Sequence, residues 1–277
     1  MIYDERPCSL GEGPLWHPER QELFWFDINA NTLHSKAQSW RFDCTVSAAG
    51  WVDTDHLLIA SDHGLHLFDI TSGTLGAARI ALDAENPVTR SNDGRADPWG
   101  GFWIGTMGRA AEPGAGAIYR YHRDELKVIA PDITISNAIC FAPDKSHGCF
   151  TDTAAGQIMR VALDPVTGWP TGKPEVWIDL SSESFGPDGA VIDAEGNLWL
   201  AGWGAGAVIV YNPEGREIAR HAVPGRHTTC PAFGGPELRD LYVTSATQWL
   251  EDETGDHGKT FVIRNAGQGQ REHQVIL

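Results

Sequence analysis

The chain has 277 residues, 42% hydrophobic and 21% charged, which is ample material for a globular core. Its 37 acidic against 21 basic side chains give a formal charge of -16, which excludes nucleic acid and anionic membrane surfaces as partners, since both need a basic face. No apolar stretch approaches 18 residues, so none is expected to span a bilayer.

The opening residues, "MIYDERPCSL", carry charges where a secretory signal needs an apolar run. Cys8, Cys44, Cys140, Cys149 and Cys230 are odd in number and contain no C-x-x-C pair. Both features predict reduced thiols and a cytoplasmic protein.

Along the chain, short apolar and aromatic runs alternate with Gly, Pro, Asp and Asn, and helical periodicity is almost absent. Such a pattern predicts an all-β fold. A polar turn followed by an aromatic-rich strand recurs at "HPERQELFWFD" (17–27), "VDTDHLLIASD" (52–62), "DPWGGFWIGTM" (97–107), "APDKSHGCFTD" (142–152), "DAEGNLWLAGW" (193–203) and "GGPELRDLYVT" (234–244). Aligned on the turn, Phe24, Leu58, Trp103, Phe150, Trp199 and Tyr242 are equivalent, at spacings of 34, 45, 47, 49 and 43 residues. That is the length of a four-stranded propeller blade. "GLHLFD", "GAIYRY", "GQIMRV" and "GAVIVY" supply a following strand in four copies. Six copies predict a six-bladed β-propeller of four-stranded antiparallel blades around a central channel, as one domain over 1–277. An irregular β-sandwich is the competing architecture. Ring closure falls to "KTFVIRN" and "EHQVIL" pairing with the amino-terminal residues, which removes exposed sheet edges.

Counting back from the aligned aromatics, Glu12, Asn92, Asn137 and Asp188 lie 12, 11, 13 and 11 residues earlier, in "GEGP", "SNDG", "SNAI" and "PDGA". The same address falls near Ser47 in the second copy and near Cys230 in the sixth. Asn or Asp beside Gly is an ordinary turn former. Four oxygen-bearing side chains at one repeat phase, just before the innermost strand, should instead converge at the channel axis. Two carboxylates with two amide oxygens are the ligands of one divalent ion: Ca²⁺, Mg²⁺, Mn²⁺, Fe²⁺ or, at lower coordination number, Zn²⁺. Asp27 and Asp152 recur after strands and read as turn caps. Trp16 and Trp203 read as packing residues close to the pocket. "EDETGDHG" (251–258) lacks the ligand spacing of a calcium loop and reads as solvated.

The segments "LGEGPLW", "RSNDGRADPWGGFWIGTM", "ISNAICFAPD" and "GPDGAVIDAEGNLWLA" together resemble the gluconolactonase, regucalcin and senescence-marker-protein family of six-bladed propellers, in order over nearly the whole chain. The resemblance implies one divalent metal held by Glu12, Asn137 and Asp188. It implies substrate contacts from Arg90 and Asn92, and from Glu112 on a loop that looks shortened here. It also implies hydrolysis of a small-molecule sugar lactone to the aldonic acid. No G-x-S-x-G elbow or H-E-x-x-H pair is present, so the expected nucleophile is water. A metal can both polarise a carbonyl and lower the pKa of water, and Asp188 is the expected base. A phosphotriesterase or arylesterase using the same pocket, and a propeller that binds metal without catalysis, are the alternatives. The pattern leaves open which lactone is opened, which ion is bound, and the oligomeric state.

Overall fold

The computed structural model describes residues 1–251 and 255–277. Among them there are 24 strands and no helix. Four separate four-stranded sheets follow one another as simple meanders, beginning at Gly11–His17, Val46–Asp53, Thr89–Ala96 and Ser136–Phe141. The remaining strands form one eight-stranded sheet rather than two separate ones. Its two halves, starting at Gly186–Ile192 and His227–Gly234, are joined through the single pair Trp203–His227. The six starting strands pack against one another in a closed ring around a central channel, so the fold is propeller-like.

Burial explains the sequence pattern. The second strand of each meander has covers on both faces, so it reads as a continuous apolar run, as in Glu22–Asp27 ("ELFWFD"). All six aligned repeat residues sit in these second strands, none more than 4% exposed. Outer strands such as Thr74–Ala81 and Glu217–Ala222 are largely exposed. Hydrophobic clusters fill the wedges between successive sheets; Phe24, Phe26 and Leu33, for example, meet Leu57, Ile59 and Phe68. Each such side chain contributes roughly 1.5–3 kcal/mol on full burial.

Closure follows the expectation in one half and departs from it in the other. Within "KTFVIRN", Thr260–Ile263 pairs with Ile2–Asp4, Ile2 opposite Phe261 and Asp4 opposite Thr260. "EHQVIL" joins no sheet. This last segment instead crosses the far end of the channel. Val275 N–H donates to Trp51 O, Ile276 N–H to Gly100 O, and the Gln270 amide to Phe141 O and Ile192 O. Beneath it lies a cavity of about 30 Å³, and Glu272 forms an ion pair with Arg95, the two side chains 9% and 11% exposed.

Removing one member of a buried pair strands the other charge, at a cost of about 3–5 kcal/mol. Glu272→Ala should therefore lower the unfolding free energy in urea by about 3 kcal/mol. A loss of only a few tenths would show the pair to be solvated.

Candidate active site

A break in register marks the upper part of the innermost strands. Pairing is interrupted between Glu12 and Leu15, Ser91 and Gly94, Asn137 and Cys140, Pro187 and Ala190, and Thr228 and Pro231. The second copy has a shorter break between Val46 and Ala48. Such bulges free one or two residues from strict alternation and re-aim their side chains. In the first strand the bulge requires Gly13: its φ is +53°, and a Cβ there would come within 2.5 Å of Ser47 O.

The bulges gather Glu12, Asn92, Asn137 and Asp188 at one pocket of about 500 Å³, with Arg90 and Thr153 beside them. All four are buried. Arg90 Nη1 donates to Asn92 Oδ1 (2.7 Å) and to Ser91 O (2.9 Å). Asn92 Nδ2 donates in turn to Asn137 Oδ1 (3.1 Å) and Ser136 O (2.8 Å). Asn137 Nδ2 donates to Thr153 Oγ1 (2.9 Å), whose hydroxyl donates to Pro187 O (2.7 Å), next to Asp188. One chain of hydrogen bonds thus links three innermost strands and fixes how each amide is turned.

Two loops entering the site are pinned as the turn-cap reading expected. The carboxylate of Asp27 accepts from the N–H groups of Ser9 and Leu10, just before Glu12. That of Asp152 accepts from Thr134 and Ile135, just before Asn137. At the other two repeat addresses, Ser47 Oγ donates to Ser91 Oγ (2.8 Å) and Cys230 is packed against Gly189.

Electrostatically the site is strained without a cation. Burial pushes the Glu12 carboxyl up to about 8, and Asp93 adds to this; the Gly13 N–H and Arg90 relieve it only in part. Asp188 is raised well above the usual carboxylate range by burial, then by Glu12 and Asp93. Burial brings Arg90 down to about 10, opposed by Glu12 and Asp188. Among the described residues, no three His, Cys, Asp or Glu side chains group as metal ligands. The donor set here is mixed: two desolvated carboxylates and an amide oxygen, which is what a hard divalent cation takes. Glu12, Asn137 and Asp188 therefore fit such an ion.

Several features escape the repeat reading. Glu112 does not line the pocket: its Oε2 accepts the N–H of Ala110 (3.0 Å), so the carboxylate closes its own short loop. Asp93, one residue from Asn92, is buried below the site and accepts the N–H of Ile139 (2.7 Å), tying the third innermost strand to the fourth. Trp16 stacks on Tyr242 in the core, whereas Trp203 lines the pocket. The rim also carries Leu10, Met107, Arg109, Ile135 and Trp249. Of "EDETGDHG", residues 252–254 lie outside the described residues.

Residues 10–247 match the SMP-30/Gluconolactonase/LRE-like region. A Rhizobium meliloti protein provisionally named a sugar lactone lactonase is 45% identical, over 94% of this chain and 91% of its own. Pentonolactonase XacC of Haloferax volcanii is 34% identical, over 86% of this chain and 82% of its own. Among solved structures, regucalcin of Agrobacterium tumefaciens, described as a calcium-binding protein, superimposes with a TM-score of 0.96 at 43% identity, covering 100% of this chain and 97% of that one.

The raised carboxyls fix the sign of a pH effect. A carboxyl whose folded pKa lies above its unfolded value holds its proton more tightly when folded, so stability falls as pH rises between the two. Metal-free protein should lose stability from pH 4.5 towards 8, the interval set by Glu12. A divalent ion should restore stability more at pH 8 than at pH 5, with proton release on binding. Thermal unfolding with and without each ion at both pH values checks this; equal stabilisation at both would remove the carboxylates from the ion's shell.

Proposed function

The chain belongs to the SMP-30/gluconolactonase/LRE-like family, and on that premise we propose that it opens a sugar lactone to the aldonic acid in a metal-dependent hydrolysis. The observation that carries this reading is the convergence of Glu12, Asn137 and Asp188 with Arg90 and Asn92 in one pocket. It is a lactone-hydrolysing enzyme by family; the roles of the residues are inferred from their geometry. A divalent ion held by Glu12, Asn137 and Asp188 would polarise the carbonyl and acidify water near it.

The chain's own groups account for the rest. Asp188 takes a proton from water as its oxygen bonds to the carbonyl carbon. The ring C–O bond then breaks, and the departing ring oxygen receives the proton back from Asp188. Glu12 anchors the ion as its second anionic ligand. Arg90, held by Asn92, offers charge-assisted hydrogen bonds to substrate oxygens and to the oxyanion that develops at the carbonyl.

The architecture fits six blades in one domain over 1–277, a reading supported by the closed ring of six innermost strands and by the clusters between sheets. The unpaired cysteines support a reduced, cytoplasmic setting. A second reading, an arylesterase or phosphotriesterase, draws support from the apolar rim of Leu10, Met107, Ile135, Trp203 and Trp249.

Chelator-treated protein should be inert and regain opening of a five- or six-carbon aldonolactone on addition of Ca²⁺, Mn²⁺, Zn²⁺, Mg²⁺ or Fe²⁺ singly, followed by acid release. Restored turnover of an aryl ester or phosphotriester alone would favour the second reading; no turnover of any kind would leave a metal-binding propeller. Asp188→Asn should lower kcat by at least about 100-fold, the scale of a lost general base, and spare metal binding more than rate. Glu12→Gln should weaken metal uptake and turnover together; undiminished uptake removes Glu12 from the site.

A further inference from the structure

Trp249 is a large apolar side chain that the fold does not bury: it is 77% exposed, yet it lines the catalytic pocket. Its backbone has φ of +62°, a left-handed conformation that a bulky aromatic residue adopts only when its surroundings impose it. Those surroundings come from three parts of the chain. Gln248 N–H donates to Ser9 O, Gln248 O meets His227 Nδ1 at 2.9 Å, and Asn29 Nδ2 donates to Gln248 Oε1 at 3.0 Å. The turn is closed by Leu250 N–H donating to Thr247 O.

The indole is aimed as well as held. Trp203 stacks on His227 (4.2 Å between centroids, 16° between planes), which locks that ring. Trp249 meets Trp203 edge to face at 5.7 Å and 72°. Among the described residues this is the one aromatic ring against it, so most of its surface stays open at the mouth. Exposing an indole costs apolar hydration, and holding it on a left-handed backbone costs conformational energy. Neither cost is offset by core packing here.

Resting on the lactonase reading above, we infer that Trp249 is the seat for the substrate's ring and sets its specificity. The negative face of an indole attracts the slightly positive C–H face of a saturated ring. The same pocket supplies a polar donor, Arg90, for hydroxyl and carbonyl oxygens. A closed lactone ring offers both kinds of surface at once. The open-chain acid has no flat C–H face, so the ledge holds substrate better than product and favours release after opening.

The test uses the full chain, wild type, Trp249→Ala and Trp249→Phe, with the restoring metal. Because Trp249 is mostly exposed, both variants should fold. Trp249→Ala should raise KM for the lactone about 3- to 10-fold, the scale of an aromatic contact, with kcat within about twofold and Trp249→Phe recovering most of the loss. A binding arm independent of turnover uses 1,5-anhydroglucitol, a cyclic polyol without a carbonyl, against the open-chain sorbitol, by calorimetry. The cyclic polyol should bind wild type more tightly than sorbitol, and Trp249→Ala should erase the difference. Unchanged KM, or equal binding of the two polyols to wild type, overturns the proposal. If wild type opens no lactone with any ion, the functional reading fails, while the polyol comparison still decides whether Trp249 seats a ring.

Discussion

The structure depends on a break in hydrogen-bond register repeated in its innermost strands. A regular strand sends alternate side chains to its two faces, and here both faces are filled by neighbouring sheets. A carboxylate or amide on such a strand would be driven into an apolar wedge. Loosening the ladder at Glu12, Asn92, Asn137 and Asp188 lets these side chains turn toward the channel instead. Everything chemical in the molecule follows from that displacement. The cost is also set by it, since the same geometry that gathers the carboxylates removes them from water and raises both.

The repeat made much of this legible. Because a propeller returns to the axis once per blade, residues at one phase must meet, and counting from aligned aromatics was enough to collect Glu12, Asn92, Asn137 and Asp188. The aspartates that pin the entering loops, Asp27 and Asp152, were readable by the same recurrence. What stayed hidden belongs to single positions that the repeat does not duplicate. Thr153, Arg109 and Trp249 lie on loops of differing length, where no phase argument applies. Asp93 was masked by its neighbour: beside Asn92 in "SNDG" it reads as a turn residue, and only its hydrogen bond to Ile139 reveals it as a strut between strands.

Two departures have physical causes of the same kind. "EHQVIL" has the composition of a strand, but its amides donate to two separate carbonyls, Trp51 O and Gly100 O, rather than along one strand edge. The segment therefore spends its polar groups on scattered partners across the channel's end. Glu112 reads toward substrate in the sequence, whereas its carboxylate here accepts the Ala110 N–H and closes its own loop. The count of separate sheets was likewise blurred by one residue pair, Trp203 with His227, which stitches two meanders into one sheet. That stitch has its own use, for it is the base on which the pocket's aromatic wall stands.

Ring closure pairs Ile2 with Phe261, residues separated by almost the entire chain. Glu12 and Asn137 lie on sheets whose own strands are contiguous in sequence, whereas Asp188 lies on the eight-stranded sheet that this pairing extends. Each four-stranded meander pairs within itself, but Glu12 faces the ligands of the later sheets only once Gly11–His17 packs against His227–Gly234 and the ring of innermost strands is closed. Assembly of the site is thereby coupled to closure of the ring. An open ring carries every ligand without bringing Glu12 to the others, so ion capture reports a finished ring rather than a partial one.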